Sequence, residues 1–244
     1  NTVGLGGIYF TPTAGSGNAM LGNRIYSNVG LGIDLNEDRV TLNDGPTDLD
    51  GGPNGRLNFP VIASARHSAG SLTVNYRLEL PAGTYRIEFF ANRPTVADAT
   101  NGEGERYLGF INVTTDGSGN AAIGTTLANV WVNSGDRVTA TATNLTTNDT
   151  SEFAANRTAT STGIVVVDTT TDNYDSGVAS GTVTIATLGA NRGGDGRISL
   201  REAVYATNNT ANGGTPDKIV FSIAGAGVHT INVASALPTI TGAV

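Results

Sequence analysis

Two stretches of this sequence gather side-chain oxygens at spacings that suit a hard cation. In the first, Asp44, Asp48, Asp50 and Asn54 crowd together among glycines and prolines, with Asp34 nearby. Ca²⁺ takes roughly six to eight oxygens from flexible loops, and carboxylates held close together repel one another unless a cation joins them. A solvated acidic linker has the same composition. In the second stretch, Asn191, Asp195, Gly196, Ile198 and Glu202 match an EF-hand loop's first ligand, fifth ligand, turn glycine, apolar residue and closing carboxylate. Gly193 holds the third ligand position and cannot ligate. The run Gly193-Gly-Asp-Gly196 also reads as a tight turn ahead of a helix. Asp168, Asp172 and Asp175 are weaker cation candidates. Ca²⁺ is the one cofactor these residues suggest.

Other chemistry is hard to find. The two histidines, His67 and His229, are expected in a loop and just before a strand. Neither has a serine, cysteine or carboxylate at a spacing known from nucleophilic catalysis, and no H-x-x-H metal set occurs. Cysteine is absent, which removes disulfides and thiolate sites. Carboxylate pairs are easily found among 21 acidic residues, so a glycosidase pair drawn from them would carry no weight. A G-x-G-x-x-G phosphate loop is missing. The net charge of −7, with a single lysine, Lys218, argues against a nucleic-acid surface. No run reaches the eighteen or so apolar residues of a membrane span.

The elements that would position these residues are mostly strands. Thirty-three glycines, abundant Asn and Thr and few charges point to β structure with many tight turns. Apolar alternation marks strands at 59–65, 72–80, 84–91, 107–113, 121–127 and 137–143, separated by PAGT, NGEGE, DGSGN and NSGD. Several short strands at this spacing suit an immunoglobulin-like sandwich, with Trp131 as a packing residue. Residues 157–190 read as a Thr/Ser/Asp-rich linker leading into a strand at Gly163 to Val167. The clearest helix signal is Ser199 followed by Glu202, a capping box, with Leu200, Ala203, Val204 and Thr207 at i, i+3, i+4 and i+7 behind it.

With that helix a resemblance appears. Ile198-Ser-Leu-Arg-Glu-Ala203 resembles the "CSLREA"-type signature that opens right-handed parallel β-helix domains in large bacterial secreted or surface proteins, with Ile198 where the family often has Cys. GGTPDKIVFSI at 213–223 and HTINVASALPTIT at 229–241 are similar to segments that follow it in that family. The likeness covers roughly residues 165–241, and it implies that the short helix caps an open end of the β-helix. GNAMLGNRIYSNVGLGIDL, with Asn18, Asn23 and Asn28 beside glycines, is similar to the last coils of such a helix. The segment from Asp48 to Asn54 followed by Asn58-Phe-Pro60, and YRIEFFAN with GEGERYLG, resemble the junction and the Ig-like module of the same proteins.

The expected fold is therefore all-β: right-handed parallel β-helix coils flanking an Ig-like β-sandwich, with one short capping helix. Residues 1–56 would be the end of a β-helix plus the acidic loop, 57–160 the sandwich, and 161–244 a linker, the capping helix and the first coils of another β-helix. The expected function is that of a non-catalytic structural module, extracellular or at the cell surface. An open coil exposes unpaired backbone edges that invite a further strand. The coils would then stack head to tail on another copy or on neighbouring β-helix coils, and a contact of that heterologous kind builds filaments unless it closes into a ring. Calcium would stiffen the acidic junction. The alternatives are an accessory carbohydrate-binding region of a secreted polysaccharide-degrading enzyme, and an adhesin segment.

Overall fold

A computed structural model describes residues 6–98, 100–116, 118, 120–242 and 244. The described residues are mostly β, with two short helices. By packing, the chain divides into two units. The first comprises Asn1–Ala65, Thr73–Leu127 and Arg137–Arg157, and the second Arg66–Leu72, Ala128–Asp136 and Thr158–Val244.

Seven strands make up the main sheet. They are β3 (Val61–Ser68), β4 (Ser71–Glu79), β5 (Gly83–Asn92), β6 (Arg106–Thr115), β7 (Asn120–Ala128), β8 (Arg137–Asn144) and β9 (Arg157–Ser161). Six of them, β3 to β8, lie close to where alternation and turn residues put them. All seven join in the order β6-β5-β8-β9-β3-β4-β7. In β4, Leu72, Val74, Tyr76 and Leu78 are buried while Asn75 and Arg77 face out, the period-2 pattern of a half-buried strand. The turn from β3 to β4 uses Ala69 and Gly70, both at positive φ. A Cβ on Gly70 would sit 2.8 Å from the Trp131 ring, so only glycine lets the indole lie against this turn. Two expectations change here. Residues 157–161 are strand β9 rather than linker, and His67 lies within β3 rather than in a loop.

In β5 nearly every residue from Ile87 to Asn92 is buried, because both faces of this strand are covered. Phe89 meets Tyr76 edge-on at 5.4 Å. Phe90 packs into a different cluster with Met20, Ile33, Leu35 and Phe153, meeting the Phe153 ring edge-on at 5.3 Å. That cluster ties in the amino-terminal segment, whose only strands among the described residues are β1 (Ile8–Phe10) and β2 (Ile33–Leu35), paired in parallel with Ile8 opposite Ile33.

A segment with so little ladder must satisfy its backbone N–H groups elsewhere. Buried carboxylates do this. Glu88 accepts from the Gly22 N–H at 2.7 Å, and Glu103 from Ser27 and Asn28 at 2.7 and 3.0 Å. Asp149 accepts from Gly17 at 2.6 Å, and Glu152 from Leu35 and Thr41, each at 2.9 Å.

The second unit carries β10 (Ile164–Val167), α1 (Ile185–Ala190), α2 (Leu200–Asn208) and β11 (Lys218–Phe221). The strands β10 and β11 pair in parallel. The long connection between them folds its apolar residues onto this pair: Val183, Ile185, Leu188, Ile198, Ala203 and Ala206 bury against Val165 and Val167. The capping box of α2 forms as its spacing implies, with Ser199 accepting from the Glu202 N–H and Glu202 accepting from that of Ser199. The helix α1 was not anticipated. Its signal is the similar pair Thr184 and Thr187, which also makes a capping box. Among the described residues no strand follows His229, contrary to expectation.

Phe90→Ala should cost about 3–5 kcal/mol by denaturant unfolding, because it empties the junction of three rings. Val29→Ala, at a position 88% exposed, should stay within about 0.5 kcal/mol of the parent.

Candidate functional site

The acidic positions do not converge. Asp34 is buried in β2, where burial raises its carboxyl pKa above the ordinary value and the backbone N–H groups of residues 37–39 oppose that rise. The loop at 44–50 folds around the side chain of Asn58. Asn58 donates its amide to Asp44, Gly45 O and Glu79 O at 3.3, 2.9 and 2.7 Å. It also donates its backbone N–H to Asp48 at 3.2 Å and accepts from the Asp44 N–H at 3.2 Å. Asn54 is buried in a separate network, accepting from the Asn18 N–H at 3.0 Å and donating to Asn18 O and Thr150 O at 2.9 and 3.0 Å. Asp50 makes no contribution to either arrangement.

The EF-like spacing resolves into caps and a turn. Asn191 ends α1, donating its amide to Thr187 O at 2.9 Å. Asp195 accepts from the Arg197 N–H at 2.8 Å within the turn. Both oxygens of Glu202 accept N–H groups, one from Ser199 and the other from Asp175 and Ser176. The residue around which this turn is built is Asp175, whose Oδ2 accepts from Gly194 and Asp195 at 3.0 and 3.2 Å. Only its place in an acidic run pointed to it in the sequence. Among the described residues, no group of three or more His, Asp or Glu side chains could hold a metal ion.

One juxtaposition invisible in the sequence is His67 with Ser161, 3.2 Å apart and 94 residues distant in the chain. Both are buried, His67 is edge-on to Trp131 at 5.8 Å, and Ser161 Oγ also reaches Ile164 O at 3.4 Å. A nucleophile needs a cleft in which substrate can reach it, whereas both of these side chains are buried in the fold. A groove of about 460 Å³ lies over Ile62, Ala63, Asn75, Arg77 and Ala122. Its lining includes no carboxylate, histidine or serine.

What the fold does present is backbone. In a parallel pair, alternate residues direct N–H and C=O toward the partner strand and the rest direct them away. Lys218 and Ser222 donate to Gly163 O and Val167 O, so Ile219 and Phe221 turn their backbone groups away from β10. The far edge of β10 is already closed. The buried Asn133 side chain donates to Val166 O at 3.1 Å and accepts from its N–H at 2.8 Å, as a neighbouring strand would. The same arrangement recurs in the first unit. Ile8 donates to Gly32 O and Asn36 to Phe10 O, so Tyr9 turns its backbone away from β2, while Glu152 closes the far edge of β2 at Leu35. Among the described residues, each parallel pair therefore has one edge closed by a buried side chain and one edge with no partner strand.

The sealing glutamate is under electrostatic tension. Burial pushes Glu152 up to about 8; the two backbone donors oppose this, and the charges of Asp34 and Asp38 add to it. Burial likewise pushes Glu202 and Asp48 up to about 7 and Asp98 to about 6. A carboxyl group whose pKa rises on folding stabilises the fold fully below its unfolded value, near 4, and loses that contribution as pH passes its folded value. Melting temperature should accordingly fall by several degrees between pH 5 and pH 8.5, and Glu152→Gln should make the decline shallower. A flat or rising profile would contradict this.

No family model matches the chain, and no curated protein or solved structure matches it either.

Proposed function

We propose that this chain is a non-catalytic structural module of an extracellular or cell-surface protein, with parallel β-helix coils flanking an Ig-like sandwich, and that it joins neighbouring coils by strand addition. The observation that carries the reading is the outward edge of β11. There Ile219 and Phe221 direct unpaired backbone groups away from β10, and the Phe221 ring is 56% exposed. Unpaired edges of this kind template a further strand. The residues after β11 add to the apolar surface, with Val228, Val233 and Ile240 exposed. The resemblance of residues 198–203, 213–223 and 229–241 to β-helix openings supports the same reading.

The work of such a module is mechanical. An added strand gains main-chain hydrogen bonds and covers Phe221, and no covalent bond is made or broken. Calcium enters this proposal at the acidic loop 44–50, where ionising Asp48 places its charge beside Asp44 and Asp50.

Negative-stain electron microscopy at micromolar protein should show filaments with a regular axial repeat. Phe221→Pro should abolish them, because proline deletes the outward N–H and leaves the Lys218 and Ser222 bonds to β10 intact. Phe221→Val, which keeps that N–H, should retain them. Uniform monomers from the parent chain at every concentration would refute strand addition.

For calcium, millimolar Ca²⁺ should raise the melting temperature at pH 8 by a few degrees. Asp48→Ala combined with Asp50→Ala should remove that rise. An equal rise in the double variant would dismiss the loop as a site.

A further inference from the structure

We infer that the strand received by β11 is β1 of a second copy of this chain, an inference that rests on the strand-addition reading above. Three observations point to this partner. First, both open edges belong to parallel pairs, and each pair is sealed on its other side, by Glu152 or by Asn133. Addition is thus confined to one side of each pair. Second, the two sides are complementary. The crossover from β1 to β2 packs Met20 and Ile25 over the face carrying Ile8, Phe10, Ile33 and Leu35. The crossover from β10 to β11 likewise covers the face carrying Val165, Val167 and Ile219. Parallel crossovers are right-handed in about 98% of cases. With both right-handed, β11 follows β10 on the same side as β2 follows β1. The order β10-β11-β1-β2 across two copies then continues one sheet with its covered face unbroken.

Third, the backbone and side-chain phases agree in one register. With Tyr9 opposite Val220, the Tyr9 N–H donates to Ile219 O of the other copy, and the Phe221 N–H of that copy donates to Tyr9 O. That register sets Ile8 over Ile219 and Phe10 over Phe221, since neighbours in a parallel pair share a face. The half-exposed ring of Phe221 would then lie beneath a ring of the next copy. A contact between two different edges of the same chain is heterologous and repeats without limit unless it closes into a ring.

Two experiments test this in the full chain. Tyr9→Pro removes the outward N–H of β1 without touching the Ile8 and Asn36 bonds that hold it to β2. In sedimentation velocity, Tyr9→Pro and Phe221→Pro should each be monomeric, and their equimolar mixture should give a species of twice the monomer mass and nothing larger. The chain has no cysteine, so Tyr9→Cys mixed with Val220→Cys reports the register directly. Oxidation should produce a reducible dimer from the mixture. If Tyr9→Pro assembles like the parent, or the cysteine pair gives no dimer, β1 is not the partner, although strand addition at β11 stands. If Phe221→Pro also assembles like the parent, strand addition itself falls.

Discussion

Buried carboxylates that accept main-chain N–H groups are the interaction on which most of this structure depends. Among its described residues up to residue 60, the amino-terminal segment has six residues of strand, far too few to satisfy its own backbone. An unpaired buried amide costs about as much as a lost hydrogen bond and its desolvation together. Glu88, Glu103, Asp149 and Glu152 supply acceptors in place of a neighbouring strand, each reaching residues more than sixty positions away. A carboxylate suits the task because its two oxygens accept several donors at once without needing a donor itself. The cost is desolvation, visible in the upward displacement of Glu152.

The second unit uses the same device with a different side chain. The amide of Asn133 both donates and accepts, so it matches the two-sided edge of β10 at Val166, where a carboxylate could answer only the N–H. In the loop before α2, Asp175 and Glu202 organise backbone that has no ladder, and Arg192 pairs with Asp136 in a fully buried site. Much of the acidity that looks like cation chemistry in the sequence is spent on holding main chain. That is why spacing alone misleads for Asn54 and Glu202: their oxygens are directed by distant N–H groups, which no local pattern reveals.

This arrangement links stability to the proposed role. Sealing one edge of each parallel pair with a side chain leaves the other as the place where the fold can be extended. A fully paired sheet would have no such place, and a pair open on both sides would add strands indiscriminately. One-sided closure would therefore give the proposed assembly a polarity.

Local pattern by itself determined six of the seven strands of the large sheet, the short helix at Leu200 and its Ser199–Glu202 cap, because alternation and capping involve residues only two to four positions apart. It also marked the tight turns through glycine. Tertiary structure alone decided the rest: that His67 meets Ser161, that β9 is a strand, that Asp175 rather than Asn191 anchors the turn, and that Glu152 and Asn133 stand in for strands. Each of these depends on contacts between residues roughly twenty to more than a hundred positions apart, formed once apolar faces have packed. The physical reason is that a side chain's partner is set by the geometry of burial, and sequence spacing constrains that geometry only across a turn or two of local structure.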